Sequence, residues 1–159
     1  MRSTKAKKRL LLPDPIYGNR LVTRLINRVM KDGKKTIAQK QVYKAIEILK
    51  EKFPEQEVVD VLRKALDKIK PQMEVRSRRV GGGAYQVPMP VKGDRKETLA
   101  IRWTIEAARK RSNSQYHNFS EKLAAELMDA LNDEGAAFKK KINTHKAADA
   151  NKAFAHFRW

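Results

Sequence analysis

Between Met73 and Pro90 the chain stops repeating its apolar residues at helical intervals, and this interruption limits the available folds most. In "EVRSRRVGGGAYQVPMP" (74–90), Val, Arg, Tyr and Gln surround three consecutive glycines, the pattern of two short strands joined by a glycine turn. Pro88 and Pro90 end the second strand, because proline cannot donate to a ladder. The predicted hairpin spans 72–90, with three helical stretches before it and three after.

Before it, Leu21, Val22, Leu25, Ile26, Val29 and Met30 share one helical stripe, stopped at Gly33. Ala38, Val42, Ala45, Ile46 and Leu49 mark a second helix from about Thr36 to Lys52. Val58, Leu62, Ala65, Leu66 and Ile69 mark a third, expected to start at Glu55 and Glu57, whose carboxylates suit the positive end of a helix dipole. After the hairpin, Asp94 and Glu97 form a plausible capping pair for a fourth helix with Leu99, Ala100, Trp103 and Ala107 inward. Phe119, Leu123, Leu127, Ala130 and Leu131 mark a fifth, expected to end near Gly135. Residues 136–159 read as a weakly amphipathic C-terminal helix and tail, and 1–19 as a basic arm ending in "PDPIYG". The fold class is therefore mainly α: a single domain, 1–159, of about six helices, with a protruding two-stranded β-hairpin between the third and fourth.

Charge narrows the function. Lys+Arg number 36 against 18 Asp+Glu, a net charge of +18, which a polyanionic partner would neutralise. The absence of cysteine removes disulfides, thiolate metal sites and a cysteine nucleophile. The apolar run Leu10–Leu12 is too short for a signal-peptide core, no segment is long and apolar enough to span a bilayer, and a soluble intracellular chain without membrane partners is expected.

Catalytic patterns are weak. The glycines at 81–83 are followed by prolines and open no helix, unlike a dinucleotide-binding turn. "DGKKT" is superficially like a phosphate loop, but Arg28 stands where its first glycine belongs and Lys35 replaces the hydroxyl. His117, His145 and His156 lack metal-ligand spacing, and a His145–Asp149 pair reads as an ordinary surface contact. Asp129, Asp133 and Glu134 read as a solvated helix end. No metal, cofactor or enzymatic activity is expected.

The cations are the informative residues. Arg76 and Arg78 alternate onto one face of the first strand and Arg79 onto the other, so neither face can be wholly apolar and the ribbon should project. Gly81, Gly82 and Gly83 permit a tight tip and close approach to a phosphate chain, and Tyr85 offers a ring for stacking. Tyr85 faces Arg78 across a two-residue turn, or Arg79 across a three-residue one. Arg95, Arg102 and Arg109 recur at heptad spacing along the fourth helix, opposite Trp103 and Ala107, and Lys110 and Arg111 extend that side. Lys139, Lys140 and Lys141 open the sixth helix. Arginine's planar fork grips phosphate and stacks on bases.

Four separated blocks, "DPIYGNRLV…MKDGKK" (14–35), "SRRVGGGAYQVP" (77–88), "LAIRWTIEAARKR" (99–111) and "ANKAFAHFRW" (150–159), resemble bacterial-type small-subunit ribosomal protein seven, in the right order along nearly the whole chain. The resemblance implies a helical body with a protruding ribbon and a cytoplasmic, structural role. Such a protein binds the 3′ part of small-subunit ribosomal RNA early, nucleates assembly of the subunit head, and lies at the subunit interface near the tRNA exit site and the mRNA path. Small-subunit ribosomal proteins nine and eleven would be its neighbours. RNA-facing candidates by matching position are the arm residues Arg2, Lys5, Lys7, Lys8 and Arg9, with Lys34, Lys35, Arg76, Arg78, Arg79, Arg95, Arg102 and Arg109. Charge alone adds Lys110, Arg111, Lys139, Lys140 and Lys141, and the tip Gly81 to Tyr85 and the C-terminal end are the candidate tRNA side. The alternatives are a DNA-architectural protein with basic β-arms, whose tips usually carry an apolar wedge, and an RNA-processing enzyme, which needs a metal or acid–base cluster.

Overall fold

A computed structural model describes residues 10–158. The expectations placed on Arg2, Lys5, Lys7, Lys8 and Arg9 lie outside the described residues. In chain order come α1 (Arg20–Val29), α2 (Lys35–Lys52), α3 (Val58–Ile69), β1 (Met73–Val80), β2 (Gly83–Pro90), α4 (Asp94–Lys110), α5 (Phe119–Leu131) and α6 (Gly135–Ala150). Short 3₁₀ turns over Lys152–Arg158 follow. The chain is mainly helical with one antiparallel ribbon between α3 and α4, as the change of period predicts.

The body forms because five apolar stripes converge. Val22, Leu25 and Ile26 of α1, Val42, Ile46 and Leu49 of α2, and Leu62, Leu66 and Ile69 of α3 are almost wholly withdrawn from water. Ile101, Trp103 and Ile105 of α4 and Leu123 and Leu127 of α5 complete the same cluster. Each such side chain contributes roughly 1.5–3 kcal/mol on burial. α5 lies in the middle, packed against α2, α3, α4 and α6. Its small residues Ala124, Ala125 and Ala130 are buried, so helices can approach it closely.

Local ends differ from expectation in three places. α3 begins at Val58, so Glu55 and Glu57 precede its first turn, where Asp60 is the acidic residue. Asp94 and Glu97 do not cap α4, whose N-cap is Gly93 at φ +49°. They turn instead to Arg24 of α1, which bonds Glu97 Oε2 at 2.6 Å and approaches Asp94 Oδ1 at 3.6 Å. Gly135 does not close α5, which ends at Leu131; it is the first residue of α6, at φ +89°. Glu121 receives the backbone N–H groups of His117 and Asn118 ahead of α5.

The segment expected as an irregular arm is pinned at its end. Asp14 is buried, accepts the N–H groups of Ile16 and Tyr17 on Oδ2, and receives the Tyr43 hydroxyl on Oδ1 at 2.8 Å. Burial first, and this bond next, push the Tyr43 hydroxyl up to about 12.

Candidate nucleic-acid interface

The ribbon's register settles how its cations stand. Arg78 faces Tyr85 and Arg79 faces Ala84, which requires a two-residue turn at Gly81 and Gly82. Both turn glycines have positive φ, +57° and +87°, the mirror-image geometry that matches strand twist and that side chains disfavour. An added Cβ at either would meet nothing within 4 Å, so the requirement there is conformational. Arg76 and Arg79 are exposed and Arg78 is half-buried.

The ribbon projects less than two basic faces suggested. Its tip is exposed, but at its root Val87 and Pro88 are buried. α6 packs on both strands, and the terminal 3₁₀ turns pack on β2. His145 Nε2 on α6 accepts the backbone N–H of Gln72 at 3.0 Å, so this histidine joins α6 to the ribbon's first residues instead of pairing only with Asp149. Burial, and then the charge of Lys141, lower its pKa, with Asp149 opposing.

Tyr85 does not present a bare ring. Its centroid lies 5.3 Å from those of both Phe154 and Phe157, in tilted contacts. Arg158 Nε donates to the Pro88 carbonyl at 2.8 Å. Sequence reasoning missed this clasp, although three aromatic rings in "AFAHFRW", beside a helix with little apolar face, were an available sign.

Carboxylates that sequence reasoning passed over hold several cations. Glu74 is buried at the ribbon root. It accepts Arg76 Nε at 2.6 Å, and Arg95 Nε and Nη2 at 2.9 and 2.8 Å. Burial alone would raise its pKa, but the bonds from Arg95 and then Arg76 outweigh that and hold it low. Its place two residues before Arg76, on the same strand face, was the available signal. Glu106 takes Lys140 at 2.7 Å and Arg102 at 2.8 Å, and these bonds hold its carboxyl down to about 2.

The fourth-helix row stands where the heptad spacing puts it. Arg95, Arg102 and Arg109 are exposed, with Trp103 and Ala107 buried behind them, and Lys110 is exposed beside them. Arg109 Nη2 donates to the Val29 carbonyl at 3.0 Å. That bond brings it beside Lys31 and Lys34 in one groove floored by Ile37, Gln41 and Phe119. Lys35 opens onto the neighbouring groove below Leu10–Pro15.

Other candidates have internal duties. Arg111 is mostly buried and bonds Glu126 Oε2 at 2.8 Å and Asp129. Glu126, 1% exposed, also accepts the N–H of Ala137 in the first turn of α6. Asp133 pairs with Lys68 at 2.8 Å while staying exposed, as Glu134 does. On α6, Lys139 is exposed. Lys140 reaches Glu106 and lies 5.8 Å from the Trp103 ring centroid, and Lys141 donates to the Lys68 carbonyl at 2.6 Å. Two of the three lysines thus tie α6 to the body.

Among the described residues no group of three or more His, Asp or Glu could hold a metal, and no helix is long and apolar enough to cross a membrane.

Residues 1–152 match the family model described as Ribosomal protein S7p/S5e. A Nautilia profundicola protein is 54% identical over 159 residues, covering all of both chains, and one from Campylobacter jejuni is 53% identical over the same length. A Sulfurovum relative is 54% identical end to end, and all three are called small ribosomal subunit protein uS7. With its helical body, its ribbon between α3 and α4, and this similarity over its whole length, the chain belongs to the ribosomal protein S7p/S5e family.

Proposed function

We propose that the chain is a structural, non-enzymatic protein of the cytoplasmic small ribosomal subunit, bound directly to its ribosomal RNA. The full-length likeness to proteins called uS7 carries this reading. The cations support it physically, because they lie on exposed parts of separate elements: Arg76 and Arg79 on the ribbon, Arg95, Arg102 and Arg109 on α4, and Lys34 at the start of α2. Such a distribution fits a folded RNA whose backbone turns past several surfaces better than one straight groove. Arg111 and Lys141 are left out of the proposed face because they are drawn in from solvent and bond within the chain. Nothing favours the DNA-architectural alternative, and the ribbon tip is glycine, without an apolar wedge.

The finer reading rests on the resemblance. The protein nucleates assembly of the subunit head, stands near the tRNA exit site and the mRNA path with the tip Gly81–Tyr85 on the tRNA side, and neighbours proteins nine and eleven. The chain's affinity for the 3′ domain of small-subunit ribosomal RNA and for duplex DNA of equal length, across a salt series, tests the central statement. RNA should bind more tightly at physiological salt, and each neutralised phosphate should add roughly 0.7–0.9 to the slope of log affinity on log salt. Equal affinities would overturn it.

A further inference from the structure

At the foot of the ribbon, three parts of the chain far apart in sequence bring cations to one cleft. Arg76 comes from β1, Lys92 and Arg95 from the start of α4 and the turn before it, and Arg158 from the terminal 3₁₀ turns; Met89 and Pro90 supply the apolar wall. We propose that this cleft is a subsite for one phosphate group of the bound RNA, with buried Glu74 as the positioning residue that aims Arg76 and Arg95 into it and the C-terminal turns as the wall that completes it. The proposal rests on the RNA-binding reading above and adds where one phosphate sits and what prepares its site.

The hydrogen bonds assign the donors. Glu74 occupies Nε and Nη2 of both Arg76 and Arg95. The guanidinium is a planar fork with five N–H groups, so each arginine keeps an Nη1 group in a direction fixed by the carboxylate behind it. Arg158 uses Nε on the Pro88 carbonyl and keeps both terminal nitrogens. Among the described residues four cations line the cleft and one carboxylate, Glu74, pairs with two of them, which leaves an excess of three positive charges. Glu74 costs the site one charge but fixes two flexible side chains in advance, and prior fixing lowers the entropy lost on binding.

The two roles open to Glu74 predict opposite signs. If it only neutralises charge, Glu74→Gln makes the protein more cationic and RNA binds more tightly. If it positions the arginines, the same substitution weakens binding although net charge rises. We expect Glu74→Gln to weaken affinity of the full chain for the 3′ domain RNA about tenfold, the size of one charge-assisted contact. Arg158→Ala should weaken binding by a similar factor and lower the salt slope by roughly 0.7–0.9, one phosphate's share. Arg158→Lys keeps the charge and loses the fork, so it should restore the slope while recovering only part of the affinity. Unchanged or tighter binding by Glu74→Gln, with helical circular dichroism intact, overturns the proposal. If that variant loses its fold, Arg158→Ala decides: wild-type affinity and slope overturn the subsite, and the losses stated support it. Wild-type protein that binds this RNA no better than duplex DNA would remove the RNA-binding reading itself, a result distinct from normal wild-type binding with silent variants.

Discussion

The helical body and the ribbon with its clasp are held by different physics. In the body, α1 to α5 bury Leu, Ile and Val stripes against one another, with α5 enclosed by four other helices. In the outer part, α6 buries only Ala137 and Ala148, and the ribbon buries Val87 and Pro88 at its root. Many contacts there are directional, among them three aromatic rings, a histidine accepting one N–H, Arg158 on one carbonyl, and the bonds of Lys140, Lys141 and Glu74. Apolar burial is non-directional and accumulates with area, so it makes a stable body. A handful of aimed contacts adds little stability but sets the orientation of a charged element.

Variants that separate stability from RNA affinity test this contrast. The largest effect is expected in the body. Leu62→Ala removes a fully buried side chain and should destabilise by about 2–5 kcal/mol. Urea denaturation should show that loss while RNA affinity per folded molecule stays near wild type. The ribbon should answer in reverse. Arg76→Ala, Arg78→Ala and Arg79→Ala together should weaken RNA binding by about a hundredfold or more, with a urea midpoint shifted far less than by Leu62→Ala, since the bond from Arg76 to buried Glu74 is lost but no buried apolar side chain is; a midpoint shift as large as that of Leu62→Ala would merge the ribbon with the core.

Unclasping should cost less. Tyr85→Ala removes two ring contacts, each worth about 0.5–1.5 kcal/mol beyond burial. Limited proteolysis within Lys152–Arg158 should accelerate and RNA affinity should fall modestly, whereas Tyr85→Phe should behave as wild type. The smallest effect is a pH dependence at the ribbon root. Because the pKa of His145 is lowered in the folded chain, its contribution is present above the ordinary histidine value of about 6.5 and is lost as pH falls below it. Hydrogen exchange at the Gln72 amide should therefore quicken, beyond its intrinsic pH trend, as pH falls from 7.5 to about 5.5. His145→Ala should exchange fast throughout and show no such excess.

Sequence alone determined everything that depends on local repetition. Helical spacing located the stripes of α1 to α5, the change of period at residue 73 located the ribbon, and the glycines located its turn. Heptad spacing placed Arg95, Arg102 and Arg109 on one exposed side, because a helix face is set by nearest-neighbour geometry. Tertiary structure alone decided which residues paired at a distance. Asp94 and Glu97 could equally well cap their own helix, until Arg24 of α1 arrived beside them. Tyr85 could be a bare ring until residues about seventy positions later folded over it. Arg111 looked like its cationic neighbours until α5 brought Glu126 and Asp129 to it. A side chain's local pattern states what it can bond; what it does bond depends on which elements the apolar core brings within about 3 Å, the reach of a hydrogen bond.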